Sequence, residues 1–132
     1  MLRQMCKGKL HRVRVTQADL NYVGSITLDP VLMRAARIRP YEMVQITNVE
    51  NGVLWSTYAI PGDAESGIVC LNGPPARHFQ PGDRVIVLSL AWVDEAEWAT
   101  FTASVVLVDD DNRITSVVTA RPADDWQDDL GE

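Results

Sequence analysis

The sequence predicts a mainly β protein: a small β-barrel of many short strands with one or two short helices. Apolar residues alternate with polar ones in runs of strand length. Gly, Pro, Asn and Asp punctuate those runs at short intervals. A helix-starting pattern stands out at one place, Asp29-Pro30. Strands closed by tight turns and interrupted by so few helices point to a barrel rather than a layered α/β fold.

Taken in order, residues 8–16 read as a strand, ending in the strand-like RVRVT. Residues 17–23 are polar and irregular and lead into Gly24-Ser25. Asp29 is the N-cap and Pro30 the first residue of a helix continued by VLMRAARI, since Asp supplies a capping oxygen and Pro has no N–H to lose there. Residues 42–49 alternate as a strand. Asn51-Gly52 signals a two-residue hairpin turn, with 53–60 as the return strand. A short strand over 68–71 stops at Asn72-Gly73-Pro74-Pro75. Pro81-Gly82-Asp83 turns the chain into a long apolar strand, 84–93. Residues 104–108 and 114–118 are the last strands, joined by the acidic turn 109–112. The second Pro-Gly-Asp, at 61–63, is a weak hint of internal duplication, because the tripeptide is a common turn.

The 132 residues are 46% hydrophobic and 23% charged, which suits one globular domain and excludes a collagenous or wholly disordered chain. No apolar run reaches 18 residues, so no membrane span is expected. The N-terminal MLRQMCKGKLHRVRV lacks the apolar stretch of a secretory signal. With only Cys6 and Cys70, no disulfide framework is expected, and the reading is a cytoplasmic protein with free thiols. Residues 1–14 carry five cations and no acid, whereas the whole chain carries −6. One basic strand in an acidic chain is a poor footprint for nucleic acid, and no nucleic-acid partner is expected. The last segment, 121–132, is acidic with little to bury and is expected to be disordered, outside a barrel domain of 1–120.

Most chemistries are missing their signatures. The two histidines, His11 and His78, form no HxH or HxxxH, and no CxxC occurs, so no metal is expected. No nucleophile elbow, phosphate-binding loop or dinucleotide fingerprint is present. A lone Cys in a strand is most often a small buried hydrophobe.

Gly24-Ser25 gains meaning from its surroundings. GKLHRVRVTQADLNYVGSITLD (8–29), NVENG (48–52), STYAI (56–60), NG (72–73) and PGDRVIVLS (81–89) together resemble the aspartate 1-decarboxylase family of self-processing pyruvoyl enzymes. The resemblance runs to about residue 120. It implies a double-psi β-barrel with short helices, assembled as a homotetramer. It also implies autocatalytic cleavage between Gly24 and Ser25, with the zymogen's Ser25 becoming a pyruvoyl group; pyridoxal phosphate and metal are not used. In the implied route Ser25 Oγ attacks the Gly24 carbonyl, which Thr57 polarises. The resulting ester eliminates, and hydrolysis leaves a pyruvoyl ketone that binds the substrate amine as a Schiff base. The α-carboxylate then leaves, and Tyr58 is the implied proton donor. Asn72 is implied to support the pyruvoyl site; Lys9, matched to a substrate carboxylate contact, Thr57, Asn72 and Gly73 are implied substrate-binding residues, and His11 and Tyr22 have supporting places. L-aspartate would give β-alanine, a precursor in pantothenate biosynthesis. A helper protein for maturation is a further partner that some family members use.

The recognition residues depart from the family pattern. Leu54 stands where the family has an arginine that, with the lysine matched by Lys9, holds the substrate's side-chain carboxylate. A leucine cannot replace a bidentate guanidinium, and losing about 1.5–3 kcal/mol of charge-assisted bonding weakens binding roughly ten- to hundredfold. Pro74 and Pro75 replace small residues whose N–H groups help bind substrate, and proline has no N–H. The sequence therefore supports a pyruvoyl-dependent amino acid α-decarboxylase acting on L-aspartate or on a less acidic or apolar amino acid. The alternative is an uncleaved, non-catalytic barrel that binds a small molecule or partner.

Overall fold

The computed structural model describes residues 1–21 and 24–126. Nine strands form one sheet system: β1 (Arg3–Arg14), β2 (Gln17–Asp19), β3 (Ser25–Leu28), β4 (Met43–Asn48), β5 (Leu54–Pro61), β6 (Val69–Asn72), β7 (Arg84–Val93), β8 (Ala103–Val108) and β9 (Ile114–Ala120). Two short helices, α1 (Pro30–Ala35) and α2 (Glu95–Trp98), interrupt them. The spatial order is β2-β6-β3-β5-β4-β7-β1-β8-β9. Parallel pairs β1/β8, β2/β6 and β3/β5 mix with antiparallel neighbours. This is the mainly β architecture expected of a double-psi barrel with short helices.

The core follows from strand alternation. Leu10, Val13, Ile26, Leu28, Val44, Ile46, Ala59, Val69, Leu71, Val85, Val87 and Val106 are buried, one face of each strand. On β7 the pattern is regular from Arg84, with Val85, Val87 and Ser89 inside. Helix α1 closes one end of the core through Leu32 and Met33. The Asp29 carboxylate caps it as expected, accepting from Val31 N at 2.9 Å. The same carboxylate also accepts from Glu65 N and Gly67 N, so one buried side chain ties the helix start to the 63–67 loop.

Two close approaches fix the strands. A Cβ on Gly8 would sit 1.9 Å from the Ala36 carbonyl oxygen, so β1 passes under the end of α1 only because residue 8 is glycine. Ser89 Oγ donates to that same carbonyl at 2.7 Å. Asn112 behaves as a surrogate strand residue: its Oδ1 accepts from Arg14 N, and its Nδ2 donates to Arg14 O and Gly67 O, each at 2.8 Å.

Several element boundaries differ from the sequence reading. β1 begins at Arg3 rather than residue 8, because its ladder with β7 continues out to Arg3 opposite Val93. The segment read as irregular contains β2, which gains its strand form by pairing with β6. The expected helix stops at Ala35, and Ile38 returns its N–H to Met33 O. Asn51-Gly52 does mark a hairpin, but its loop has four residues, 49–52, closed by Asn48 N donating to Val53 O at 2.9 Å. Only Gly52 has a positive φ there, whereas the two-residue turn needs it at both central positions. Asn72 lies in β6, not in a turn, and Pro74–Arg77 forms a 3₁₀ turn after it. Helix α2 escaped the sequence reading, although Asp94 and Glu97 form the reciprocal capping box that marks its start. In the acidic tail, Pro122–Asp125 forms a 3₁₀ turn, and 127–132 lie outside the described residues.

Candidate active site

The alternation that builds the core also builds the site. Ile26 and Leu28 enter the core from β3, and Val69 and Leu71 from β6. Ser25, Thr27, Cys70 and Asn72 therefore share the opposite face. The antiparallel register sets Ser25 opposite Asn72 and Thr27 opposite Cys70. Asn72 Nδ2 donates to Ser25 Oγ at 3.1 Å and to Thr27 Oγ1 at 2.9 Å. Its Oδ1 accepts from the Cys70 thiol at 3.1 Å. Ser25 and Asn72 are almost wholly buried, so this network is shielded from competing water.

The parallel neighbour β5 brings the next groups. Ile26 lies opposite Ala59; one residue back, Tyr58 comes level with Ser25, and two back, Thr57 with Gly24. Ala59 enters the core, so Tyr58 falls on the face of Ser25. Its ring stacks on Tyr41, with centroids 5.4 Å apart and planes 6° from parallel. Gly24 lies beside the turn after β6, where an added Cβ would have Pro74 Cδ 3.9 Å away.

That turn has a specific backbone. Gly73 has φ 75° and ψ −145°, a region open essentially to glycine alone. Its N–H donates to Asp19 O at 2.8 Å. Pro74 and Pro75 have no N–H, and Ala76 N donates back to Gly73 O at 2.9 Å. From Gly73 to Ala76 no backbone donor is left for an anion.

The remaining sequence candidates lie elsewhere in the chain. Lys9 is on β1, opposite Leu88 of β7 and Val105 of β8, four strands from β3 in the sheet order. Among the described residues Lys9 has no ion-pair partner, while Lys7 pairs with Glu42. His11, opposite Leu107, lines a groove with Arg12, Arg84 and Asp110. Its Nδ1 is buried without a hydrogen-bond partner. Burial, then the charges of Lys9 and Arg12, lower its pKa from the ordinary histidine value. Leu54 opens β5 and is exposed, about 13 Å along the strand from Tyr58 at ~3.3 Å per residue. Tyr22 lies outside the described residues.

The structure therefore gathers Ser25, Tyr58 and Asn72 on one face, with Gly24, Gly73 and Pro74 beside them and Pro75 buried just behind; Thr57 is level with Gly24 but alternates to the side of Ala59 and of Val44, its partner on β4. The fold does not bring Lys9, His11 or Leu54 to them within one chain. Sequence reasoning missed Thr27 and Cys70 as members of the network and Tyr41 as the partner of Tyr58. The first two were legible from the alternation of ITL and VCLN once those strands were paired; the third depends on a positive φ at Tyr41 that no residue pattern announces. Among the described residues no three His, Cys, Asp or Glu side chains form a metal cluster, and no helix is long and apolar enough to cross a membrane.

Comparison with known proteins bears on this site. The family model described as aspartate decarboxylase matches residues 1–115. The chain is 52% identical over 117 residues to the aspartate 1-decarboxylase of Clostridium beijerinckii, covering 89% of this chain and 94% of that one. It is 52% identical over 118 residues to the protein of that name from Lactiplantibacillus plantarum, covering 89% and 91%. The corresponding Neisseria meningitidis protein is 50% identical over 122 residues, covering 92% and 96%.

Proposed function

This chain belongs to the aspartate decarboxylase family, and we propose that it is a pyruvoyl-dependent amino acid α-decarboxylase activated by its own cleavage between Gly24 and Ser25. The observation that carries the proposal is the buried Ser25 hydroxyl, next to an unhindered Gly24 carbonyl and receiving an N–H from Asn72. Ser25 Oγ adds to the Gly24 carbonyl carbon, the C–N bond breaks, and the amide gives way to an ester with the Oγ proton ending on the freed Ser25 nitrogen. Asn72 Nδ2 steadies Oγ as it gives up its proton, and Thr57, the neighbour of Tyr58 on β5, is the group the family resemblance assigns to polarise the carbonyl as an oxyanion donor would. Elimination of the ester releases the Gly24 carboxylate, and hydrolysis of the remaining dehydroalanine gives the pyruvoyl group and ammonia.

The residues present fit that group, since Ser25 begins a strand whose far partner, Asn72, keeps an N–H aimed at position 25. The pyruvoyl ketone supplies the electron sink for loss of the substrate's α-carboxylate. The chain does the rest. Tyr58 holds a phenolic proton on the same face for delivery to the substrate α-carbon, and the Tyr41 ring fixes the plane of its own. Homotetramer formation is part of the proposal: facing copies give the unpaired Lys9 of one chain a route to the Ser25 face of the next.

The relatives' name makes L-aspartate the first substrate to test. A second reading, a less acidic or apolar amino acid, is favoured by the donor accounting at 73–76 and by an apolar Leu54 at the carboxylate-binding position. A denaturing intact mass spectrum tests cleavage. The expected result is a 1–24 fragment and a 25–132 fragment lighter than its serine-started form by the mass of ammonia. A single full-length species that releases no CO2 from any amino acid favours the non-catalytic barrel; cleavage restored by a cell extract identifies a need for a maturation partner. Amine release over an amino acid panel then separates the substrates, and efficient turnover of aspartate alone removes the second reading.

A further inference from the structure

Cys70 takes no part in the chemistry above, yet its thiol touches the side chain that holds Ser25. An asparagine amide offers two unlike ends, and a hydroxyl can meet either, because it both donates and accepts. Ser25 and Thr27 are both hydroxyls, so neither decides which end of Asn72 faces them. The third neighbour decides. A protonated thiol donates and accepts only weakly, and Cys70 Sγ lies 3.1 Å from Asn72 Oδ1. With Oδ1 engaged there, Nδ2 is directed at Thr27 Oγ1 and Ser25 Oγ.

We propose that Cys70 is a positioning residue for self-cleavage: its thiol proton holds the Asn72 amide with Nδ2, not Oδ1, toward Ser25 Oγ. The orientation matters because the two ends have opposite effects on a nucleophilic hydroxyl. An N–H donor stabilises the charge that gathers on Oγ as its proton leaves. A carbonyl oxygen in its place offers no N–H and leaves that gathering charge without a donor. The thiol is kept in its donating form: burial, then the Asp19 carboxylate, raise its pKa. Cys70 itself is only 4% exposed between the core residues Val69 and Leu71, so its position is set by the strand and not by the amide it contacts.

The inference rests on the self-cleavage reading, and the test separates the two. Freshly translated full-length chain is followed by denaturing mass spectrometry for the parent, Cys70→Ser and Cys70→Ala. The serine variant keeps the size but offers a hydroxyl that meets either end of the amide, and it is expected to cleave about threefold more slowly than the parent. The alanine variant has no donor and is expected to cleave about tenfold more slowly, the factor that one net hydrogen bond of orientation gives, with a urea midpoint close to that of Cys70→Ser. Equal cleavage rates for Cys70→Ala and the parent overturn the inference. So does a Cys70→Ser rate equal to that of the parent, which would mark a role in packing alone. A parent that never cleaves defeats the reading of function and leaves the amide orientation to be read directly. In the uncleavable Ser25→Ala chain, the Asn72 Nδ2 protons are expected as one exchange-protected pair near the Thr27 methyl by NMR. Adding Cys70→Ala should cost that protection; an unchanged pair overturns the positioning role.

Discussion

Replacing Gly8 by alanine puts a methyl into a place the backbone already fills. The new Cβ would lie 1.9 Å from the Ala36 carbonyl oxygen, 2.6 Å from its carbon and 2.8 Å from Ser89 Oγ. Reaching an ordinary separation of about 3.5 Å requires β1 and the end of α1 to part by about 1.6 Å. Overpacking of this kind costs about 1–3 kcal/mol. The parting also breaks the Ser89–Ala36 hydrogen bond, leaving a buried carbonyl unpaired at a further cost of about 1–3 kcal/mol. The expected loss is about 2–6 kcal/mol, centred near 4. With a urea m-value near 2 kcal/mol/M, the unfolding midpoint should fall by about 2 M. Gly52→Ala is the matched control: Gly52 has φ +76° and nothing within 4 Å of its added Cβ, so only backbone strain of about 1 kcal/mol is expected. The two variants are compared by urea unfolding followed by tryptophan fluorescence. A Gly8→Ala midpoint no lower than that of Gly52→Ala would refute the close-approach argument.

Asn112→Ala loses the three hydrogen bonds that this buried side chain makes to Arg14 and Gly67 and should cost about 3–5 kcal/mol in chemical denaturation. Asn112→Gly should recover roughly 1 kcal/mol of that, because residue 112 has φ 60°; an alanine variant as stable as the glycine one would contradict the strain. His11 has a lowered folded-state pKa, so below about 6.5 the unfolded chain takes a proton that the folded chain resists. Stability should therefore fall as pH drops through that value and level off below the folded-state pKa. Urea midpoints between about pH 8 and 5.5 should slope less in His11→Gln, and parallel slopes would show that the imidazole is not held neutral.

Strands were legible wherever alternation met turn residues. β7 was read to the residue, and the Asp29 cap and the turn at 81–83 followed from local chemistry. Apart from helix α2, whose local Asp94/Glu97 capping box went unread, what failed depended on partners distant in sequence. Residues 3–7 are strand because β7 is long enough to pair with them, and 17–19 because β6 lies alongside. The Asn-Gly pair named a hairpin but not its loop length, which the buried Asn48 side chain sets by accepting from Glu50 N and donating to His78 O and Asp83 Oδ2. In the site, Ser25, Tyr58 and Asn72 were readable as a motif. Cys70 was not, because a small residue in an apolar strand shows its hydrogen bond only after Thr27 stands opposite it.

The place of β1 bears on what a break in the chain does. It lies between β7 and β8, laddered to both, and β2 is held by β6. A cut after Gly24 would leave residues 1–24 as a separate peptide threaded through the middle of the sheet, unable to leave without dismantling it. Before the cut, the linkage keeps the two parts at the effective concentration of tethered segments, in the millimolar range for short linkers. After it, refolding from the denatured state becomes an association of two molecules, and its yield should depend on dilution. A chain that folds first and breaks afterwards thus exchanges reversible unimolecular folding for a kinetically trapped complex.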